Sequence, residues 1–294
     1  MNGDPDVRHA GPRLAFFVVL TPFLLWVLLL VLIPHVNLLV LSLHETTGPR
    51  SFRIGLGNYR DLLGDPVYLG VLARTVAFSL LATALTLLVA FPVAYYIAKV
   101  ARGRTRAVLA LACLLPFWVS ELVRVFGWMM LLRESGLIAR ALVRAGLIAH
   151  PVELLYNDAA VMVALVYASV LFMIVPLIST LDTLDDALVE AGYDLGGSGV
   201  AVLRTVIVPH AMPGIVAGCI IVFMLNLGAY ITPTLIGGKN SQWFTAEIYA
   251  QFITRFNWEA GSAFGFVLLV TSSLVVWLAL TFSGQSLSRT LGRG

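Results

Sequence analysis

Charged side chains are scarce in this chain, at 12% of 294 residues, which is about half the share of a soluble domain. Hydrophobic residues make up 59% of the chain, and its mean hydropathy is +0.92. Such a composition, with long charge-free runs, excludes a soluble domain and predicts an integral membrane protein. The few Lys and Arg residues then report orientation in the bilayer, so the net charge of +3 does not indicate a nucleic-acid partner.

Cysteine and clustered histidine are also rare. Cys113 and Cys219 both lie in apolar runs, and no two of the five histidines are four residues apart. These features exclude a disulfide framework and offer no metal-ligand spacing. An ATPase phosphate-binding loop is missing as well, because Gly238-Lys239 is followed by Asn240 and preceded five residues earlier by Pro233. We therefore expect no catalytic site and no cofactor or metal bound by this chain.

Six apolar runs are long enough to cross a bilayer, which takes about 20 helical residues. They lie at 14–33, 75–98, 107–132, 159–181, within 212–236 and within 260–288, where the core of the span is 263–282. We expect Pro34 to end the first helix, and Glu121 and Arg124 interrupt the third run. Because every backbone polar group must be hydrogen-bonded in lipid, six helices are the economical interpretation. The first run is predicted to be a retained helix, since it is longer than a signal-peptide core and no A-x-A site follows it.

The density of positive charge, rather than its total, predicts the orientation. Lys99, Arg102, Arg104 and Arg106 lie within eight residues, in the short connection between helices two and three. Short basic connections stay on the cytoplasmic side. We therefore expect both termini, and the segment between helices four and five, to face the cytoplasm.

That segment, 182–210, is polar in a chain that is otherwise mostly apolar. Its apolar residues form one stripe at helical spacing: Leu181, Leu184, Leu188, Ala191 and Leu195. The stripe predicts an amphipathic helix over 182–195, which Gly196-Gly197-Ser198-Gly199 ends before a second short helix at 200–208. From the residues alone, the segment is equally consistent with a solvated connector and with a docking element for another protein.

The same segment contains a recognisable motif. Permeases of ABC importers carry E-A-A, three residues, G, nine residues and I-x-L-P, and here Glu190-Ala191-Gly192, Gly196 and 206–209 have that spacing. Gly192 replaces the second alanine, and Val206 and Val208 replace Ile and Leu. The chain therefore resembles a permease subunit of this kind.

A closer resemblance, to spermidine/putrescine-type permeases, extends over nearly the whole chain and is strongest over 67–285. It is carried by 118–124 (WVSELVR) with Trp128, by Asp194-Leu195-Gly196, by 209–218 (PHAMPGIVAG) and by Pro233 followed by 235–238 (LIGG). The resemblance implies a type I importer permease fold: all-α, with six transmembrane helices and a cytoplasmic coupling helix between helices four and five. It divides the chain into 1–66 (N-terminus, first helix and outer loop), a permease core at 67–285 and a cytoplasmic tail at 286–294.

The resemblance also implies the assembly and its place in the cell. It predicts a multi-pass protein of the bacterial inner membrane, with lipid around it and an ABC ATPase dimer that binds ATP and Mg²⁺. A second permease, usually a different chain, and an extracytoplasmic solute-binding protein would complete an importer of a polyamine or related small polar solute. The residues expected to couple to the ATPase are Leu184, Leu188, Glu190, Ala191, Gly192, Asp194, Leu195, Gly196 and Pro209. In this hypothesis the leucine stripe enters a groove of the ATPase, Glu190 and Asp194 meet donors there or cap backbone N–H groups, and Gly196 turns where a Cβ would clash.

A second group of polar and aromatic residues is the candidate solute pathway: Trp118, Glu121, Arg124, Trp128, Asn226 and Tyr230. Charges within a bilayer are normally paired, near water or functional, and on a straight third helix Glu121 would lie about 21 Å from Ala107, near the outer end. The two tryptophans are candidates to stack on a cation. The alternatives remain open: the charges mark the edge of the span, the tryptophans form an interfacial belt, and Asn226 and Tyr230 serve helix packing, as expected for Gly214-x-x-x-Gly218 and Gly261-x-x-x-Gly265.

Two rival functions are considered. A secondary transporter or channel without an ATPase would need carboxylates at mid-membrane, and Glu121 is the only acidic residue within an apolar run. An intramembrane serine protease would use Ser198, but that serine lies among acidic residues and no histidine falls in the middle of a span.

Overall fold

The computed structural model describes residues 12–48, 51–238 and 241–282. Five helical stretches in this part of the chain are long and apolar enough to cross a membrane: Leu20–Ser42, Pro66–Val100, Asp158–Leu181, Gly199–Leu227 and Trp258–Thr281. Two further stretches, Gly103–Trp118 and Glu121–Arg144, meet at a bend of 94° and count as a sixth span if taken together. The predicted tail at 286–294 lies outside the described residues.

The first span does not end at Pro34, so that prediction is wrong. Helix α1 (Pro12–Trp26) continues through a π-helical turn, Val27–Leu32, into α2 (Ile33–Ser42). In the π turn the N–H of Ile33 donates to the carbonyl of Leu28, five residues earlier. The wider turn places Pro34 at the start of α2, where its missing N–H breaks no hydrogen bond.

A short β-hairpin follows the first span, which the all-α prediction did not include. Strands β1 (His44–Gly48) and β2 (Ser51–Ile54) are antiparallel and precede α3 (Gly57–Gly64). The side-chain amide of Asn58 donates to the carbonyls of Ser42 and His44, at 3.0 and 2.8 Å. These bonds fix the hairpin to the end of the first span.

The core of the structure is formed by three spans that pack against one another. They are α4 (Pro66–Tyr95, extended by a π turn, Tyr96–Val100), α8 (Asp158–Leu181) and α11 (Val208–Leu227). Small residues permit the close approach: a Cβ on Gly214 would lie 2.6 Å from the carbonyl oxygen of Pro176 on α8. The hydroxyls of Thr86 and Ser169 also lie 3.2 Å apart between α4 and α8.

The third span is sharply bent, which corrects the prediction of one helix over 107–132. Helix α5 (Gly103–Leu114) passes through a 3₁₀ turn, Leu115–Trp118, before α6 (Glu121–Leu132) and α7 (Leu137–Arg144). Pro116 lies in the 3₁₀ turn and Val119 is extended, so the helical hydrogen bonds stop there. Glu121 therefore begins a new helix, where the positive end of the helix dipole stabilises its carboxylate. It does not lie 21 Å along a straight third helix, as the sequence predicted.

The remaining elements also refine the predicted boundaries. The segment at 182–195 is a turn followed by α9 (Asp186–Asp194), and α10 (Gly199–Val202) runs through a π turn, Leu203–Ile207, directly into α11. The predicted fifth span is interrupted after Leu227, and α12 (Ile231–Ile236) is a separate helix. Helix α13 (Phe244–Tyr249), a π turn (Ala250–Thr254) and α14 (Trp258–Phe282) complete the described chain.

Candidate functional site

The turn after α9 is a glycine-dependent helix stop. The N–H of Gly197 donates to the carbonyl of Gly192 at 3.1 Å, and the N–H of Gly196 donates to that of Tyr193 at 2.9 Å, which together make a Schellman motif. Gly196 has a φ of +80°, a conformation that residues with a Cβ adopt at a cost. A Cβ on Gly196 would nevertheless meet no atom within 4 Å, so the expected clash is wrong, and backbone conformation is what requires glycine.

The predicted leucine stripe is divided between two environments. Leu184 is 3% exposed and packs in the core beside α8, whereas Leu188 is 53% and Leu195 is 90% exposed. The stripe divides because the chain turns between Leu181 and Asp186 instead of continuing as one helix. Leu184 is therefore not available to a partner, contrary to its inclusion among the ATPase-coupling residues.

The outer surface of α9 is exposed, as a docking element requires. Glu190, Ala191 and Asp194 are exposed, and so is Tyr193, which the sequence argument did not select. Neither Glu190 nor Asp194 caps a helix among the described residues. Asp185 caps α9 instead, and its carboxylate accepts from the N–H of Ala187 at 3.0 Å. The inner surface holds Gly192, where a Cβ would lie 3.2 Å from Val202. Pro209 lies in the first turn of α11.

Two ion pairs join this segment to the basic connection between spans two and three. The ammonium of Lys99 donates to the carbonyl of Leu184 and lies 2.9 Å from a carboxylate oxygen of Asp186. The guanidinium of Arg106 pairs with the carboxylate of Asp182. The two predicted cytoplasmic connections therefore lie at the same face of the protein.

A separate cavity of about 470 Å³ lies between the bent span, α8 and the break after α11. It brings together four of the predicted pathway residues: Glu121, Arg124, Asn226 and Tyr230. The other lining residues include Phe117, Ser169, Phe172 and Thr232. Trp118 and Trp128 do not line it. Phe117 was missed because a phenylalanine in an apolar run gives no sign of facing a cavity.

Some polar groups of the cavity have hydrogen-bond partners and others do not. The hydroxyl of Thr232 donates to the carboxylate of Glu121 at 3.4 Å, and the guanidinium carbon of Arg124 lies 5.9 Å from the centroid of the Phe117 ring. Arg124 is not within ion-pair distance of Glu121 in the described structure. The side-chain amide nitrogen of Asn226 is buried and has no partner among the described residues.

The aromatic contacts differ from those expected. Neither tryptophan lines the cavity, where one was expected to stack on a cation. The bend turns Trp118 outward, where it is 76% exposed, and the aromatic ring beside Arg124 is that of Phe117. Trp128 makes an edge contact with Tyr167 at 5.4 Å. Tyr230, at the cavity, stacks on Tyr249 at 4.7 Å.

Comparison with known proteins identifies the family to which the chain belongs. No family model matches it. It is 32% identical to the spermidine/putrescine transport system permease protein PotB of Haemophilus influenzae over 255 residues, which cover 86% of this chain and 88% of PotB. PotB of Escherichia coli is also 32% identical, over 85% of this chain and 91% of PotB. The chain belongs to this family of ABC transporter permeases.

Two further matches are a sequence relative and a solved structure. The spermidine/putrescine permease PotC of E. coli is 28% identical over 42% of this chain and 44% of PotC. A solved bacterial alginate ABC transporter, in complex with an alginate pentasaccharide-bound periplasmic protein, matches with a TM-score of 0.71 and 18% identity over 92% of this chain and 93% of that one. At that identity the likeness shows the fold alone, which is the type I importer permease fold.

Family membership also decides between the rival functions. The permease is a multi-pass membrane subunit of an ATP-driven importer and not an enzyme itself. Ser198 is the N-cap of α10 and accepts from the N–H of Ala201 at 3.3 Å, as a serine at a helix start does. The protease and ATPase-independent hypotheses are therefore set aside.

Proposed function

We propose that this permease imports a polyamine or a closely related small cation, and that the cavity at Glu121 lies on its path. The observation that carries the proposal is the convergence of Glu121, Arg124, Asn226 and Tyr230 on one cavity. PotB is named for spermidine and putrescine, and Glu121 supplies a carboxylate that Arg124 does not neutralise by direct pairing. The unpartnered amide of Asn226 and the ring of Tyr230 add a polar group and an aromatic face suited to an alkylammonium.

The partners follow from the same family and from the exposed surface of α9. A second permease, as PotB and PotC are distinct proteins, would supply the other side of the pathway, and an extracytoplasmic solute-binding protein would deliver the solute. An ABC ATPase dimer, holding ATP and Mg²⁺, would dock on the α9 surface through Leu188, Glu190, Asp194 and Leu195. The exposure of Leu188 and Leu195, together with that of the two carboxylates, supports docking because it leaves these side chains accessible to a partner.

The orientation is part of the proposal. The dense cluster of Lys99, Arg102, Arg104 and Arg106 favours the cytoplasmic side. Because ion pairs join that connection to the segment after α8, both belong to one face. The α9 surface would then face the cytoplasm, where ATP is available, and so would both termini.

Reconstitution tests the proposal. The tagged chain is purified with the proteins that accompany it and placed in vesicles containing ATP, and uptake of labelled spermidine and putrescine is measured against a concentration gradient. We expect accumulation with the complete complex, and none with this chain alone or with a catalytically inactive ATPase. Uphill accumulation by the chain alone would instead support a secondary transporter.

A further inference from the structure

We propose that Lys99 and Arg106 are positioning residues that transmit movement of the α9 segment to spans two and three, and thereby to the cavity wall. The proposal rests on the docking of an ATPase at α9. Chain continuity joins α9 only to the fourth and fifth spans, through the turn at 182–185 and through α10. The ion pairs add polar links to span two, which already packs against the fourth and fifth spans, and to span three, which lines the other side of the cavity.

The contact at Lys99 holds the N-terminal end of α9. Lys99 lies in the π turn that ends the second span, and its side chain is only 12% exposed. Its ammonium bonds the carbonyl of Leu184 and the carboxylate of Asp186, on either side of the N-cap residue Asp185. Asp186 is exposed, so most of the protection of this contact comes from the Lys99 side and from its bond to the Leu184 carbonyl.

The contact at Arg106 reaches the bent span. Arg106 lies in the first turn of α5 and pairs with Asp182, directly after the end of α8. The span that begins with α5 continues through Phe117 to Glu121, and both of these residues line the cavity. A displacement of the segment around Asp182 would therefore pull on the span that presents the cavity carboxylate.

The first experiment compares Lys99→Met and Arg106→Gln with Arg104→Gln in the reconstituted complex. Arg104 is the matched control, because it is an exposed cation of the same connection with no ion pair among the described residues. Its replacement also controls for an effect of lost positive charge on topology. We expect both test variants to retain the ATPase and to hydrolyse ATP, with about tenfold less solute taken up per ATP hydrolysed. Arg104→Gln should stay close to the unmodified chain.

A charge exchange provides the second test and does not depend on the folding of the Lys99 variant. Arg106→Asp alone should lower uptake per ATP, and adding Asp182→Arg should restore most of it, because the pair is re-formed with reversed charges. Lys99→Arg should preserve coupling, since it keeps donors for both acceptors.

The outcomes separate this inference from the proposed function. ATPase retention with normal uptake per ATP in Lys99→Met and Arg106→Gln would contradict the inference alone. Loss of ATPase retention in these variants would also contradict it, because the residues would then serve docking. A charge exchange that restores nothing would show that the Arg106–Asp182 pair does not transmit movement. Absence of any ATPase from the unmodified complex would contradict the proposed function as well.

Discussion

Gly196 occupies a backbone conformation that constrains the whole α9 turn. Its φ of +80° closes the Schellman motif that ends α9, and a residue with a Cβ pays about 1–2 kcal/mol in this region. Gly196→Asp adds part of this strain, since Asp tolerates the left-handed region better than most residues, and it adds a further negative charge beside Asp194. We expect the variant to insert normally, to retain about tenfold less ATPase on purification and to lose transport, because a strained turn misplaces the docking surface.

The matched control for Gly196 is Gly199→Ala in the same turn. Gly199 has an ordinary φ, and a Cβ there would meet only the Tyr193 hydroxyl at 3.8 Å. This variant should retain the ATPase and transport activity. Normal uptake by Gly196→Asp would show that the turn has no role in coupling.

Glu121 and Arg124 give the cavity opposite charges, and neutralising each in turn identifies the charge of the solute. For a cation, Glu121→Gln should raise the half-saturating concentration for putrescine uptake about tenfold, which is about 1.4 kcal/mol of lost interaction. Arg124→Gln should leave that value unchanged or lower it. Uptake rates over a range of putrescine concentrations, in the reconstituted complex, measure both effects.

The reverse pattern would argue against a polyamine pathway. If Arg124→Gln weakened uptake and Glu121→Gln did not, the cavity would select an anionic solute. Trp118 points away from the cavity, so Trp118→Phe controls for general damage to the bent span. This variant should leave the half-saturating concentration for putrescine unchanged.

The sequence predicted individual site residues unevenly, and the reason is local. Charge in an apolar run is conspicuous, so Glu121 and Arg124 were found, and polar residues in the fifth run led to Asn226 and Tyr230. Leu184 was assigned to the wrong surface, because helical spacing cannot reveal that the helix stops and restarts between Leu181 and Asp186. Spacing predicts a face only for as long as one helix continues.

At the scale of helices and strands, proline was the least reliable signal. Pro34 was expected to end the first span, but a π turn accommodates it. Pro116, by contrast, lies where the third span bends by 94°. Whether a proline is accommodated or bends the helix depends on whether neighbouring turns can adjust their hydrogen bonds. That is a property of the packed protein and not of the residues next to the proline. The β-hairpin was missed because the hydropathy of membrane spans gives no signal for two short strands, His44–Gly48 and Ser51–Ile54, in the loop after the first span.

Close packing of α8 against α11 can be tested through glycine. A Cβ on Gly214 would lie 2.4 Å from the Thr180 hydroxyl and 2.6 Å from the Pro176 carbonyl, so Gly214→Val must separate the helices. Such overpacking costs about 1–3 kcal/mol. We expect a lower unfolding temperature in detergent, measured by intrinsic fluorescence or calorimetry.

Gly265→Val is the matched control for Gly214→Val, because it adds the same side chain at a position that lines an open pocket. The sequence placed both residues in small-residue helix contacts, but a Cβ on Gly265 would meet nothing within 4 Å. Its replacement should leave the unfolding temperature unchanged. If both variants lowered the unfolding temperature equally, the close contact between α8 and α11 would not contribute more to stability than the position at Gly265.

At the scale of the whole molecule, composition was the most informative property. Low charge and long apolar runs predicted a membrane protein with six spans, and the described structure provides five, with a sixth formed by the bent pair. The bend itself could not be predicted, although it is what brings Phe117 and Glu121 to the cavity. Its cause combines a proline, an extended residue and packing against distant helices, and only the first of these is visible in the sequence.

Orientation is the property of the whole molecule on which the coupling proposal depends. Single cysteines are introduced by Glu134→Cys, Arg104→Cys and Asp194→Cys, after Cys113 and Cys219 have been replaced. A membrane-impermeant maleimide should label position 134 in intact right-side-out spheroplasts, and positions 104 and 194 only after the spheroplasts are permeabilised. Positions 104 and 194 must behave alike, because ion pairs hold their two segments at one face. Labelling of position 194 from outside would place α9 where no ATP is available, and would exclude it as the docking surface for an ATPase.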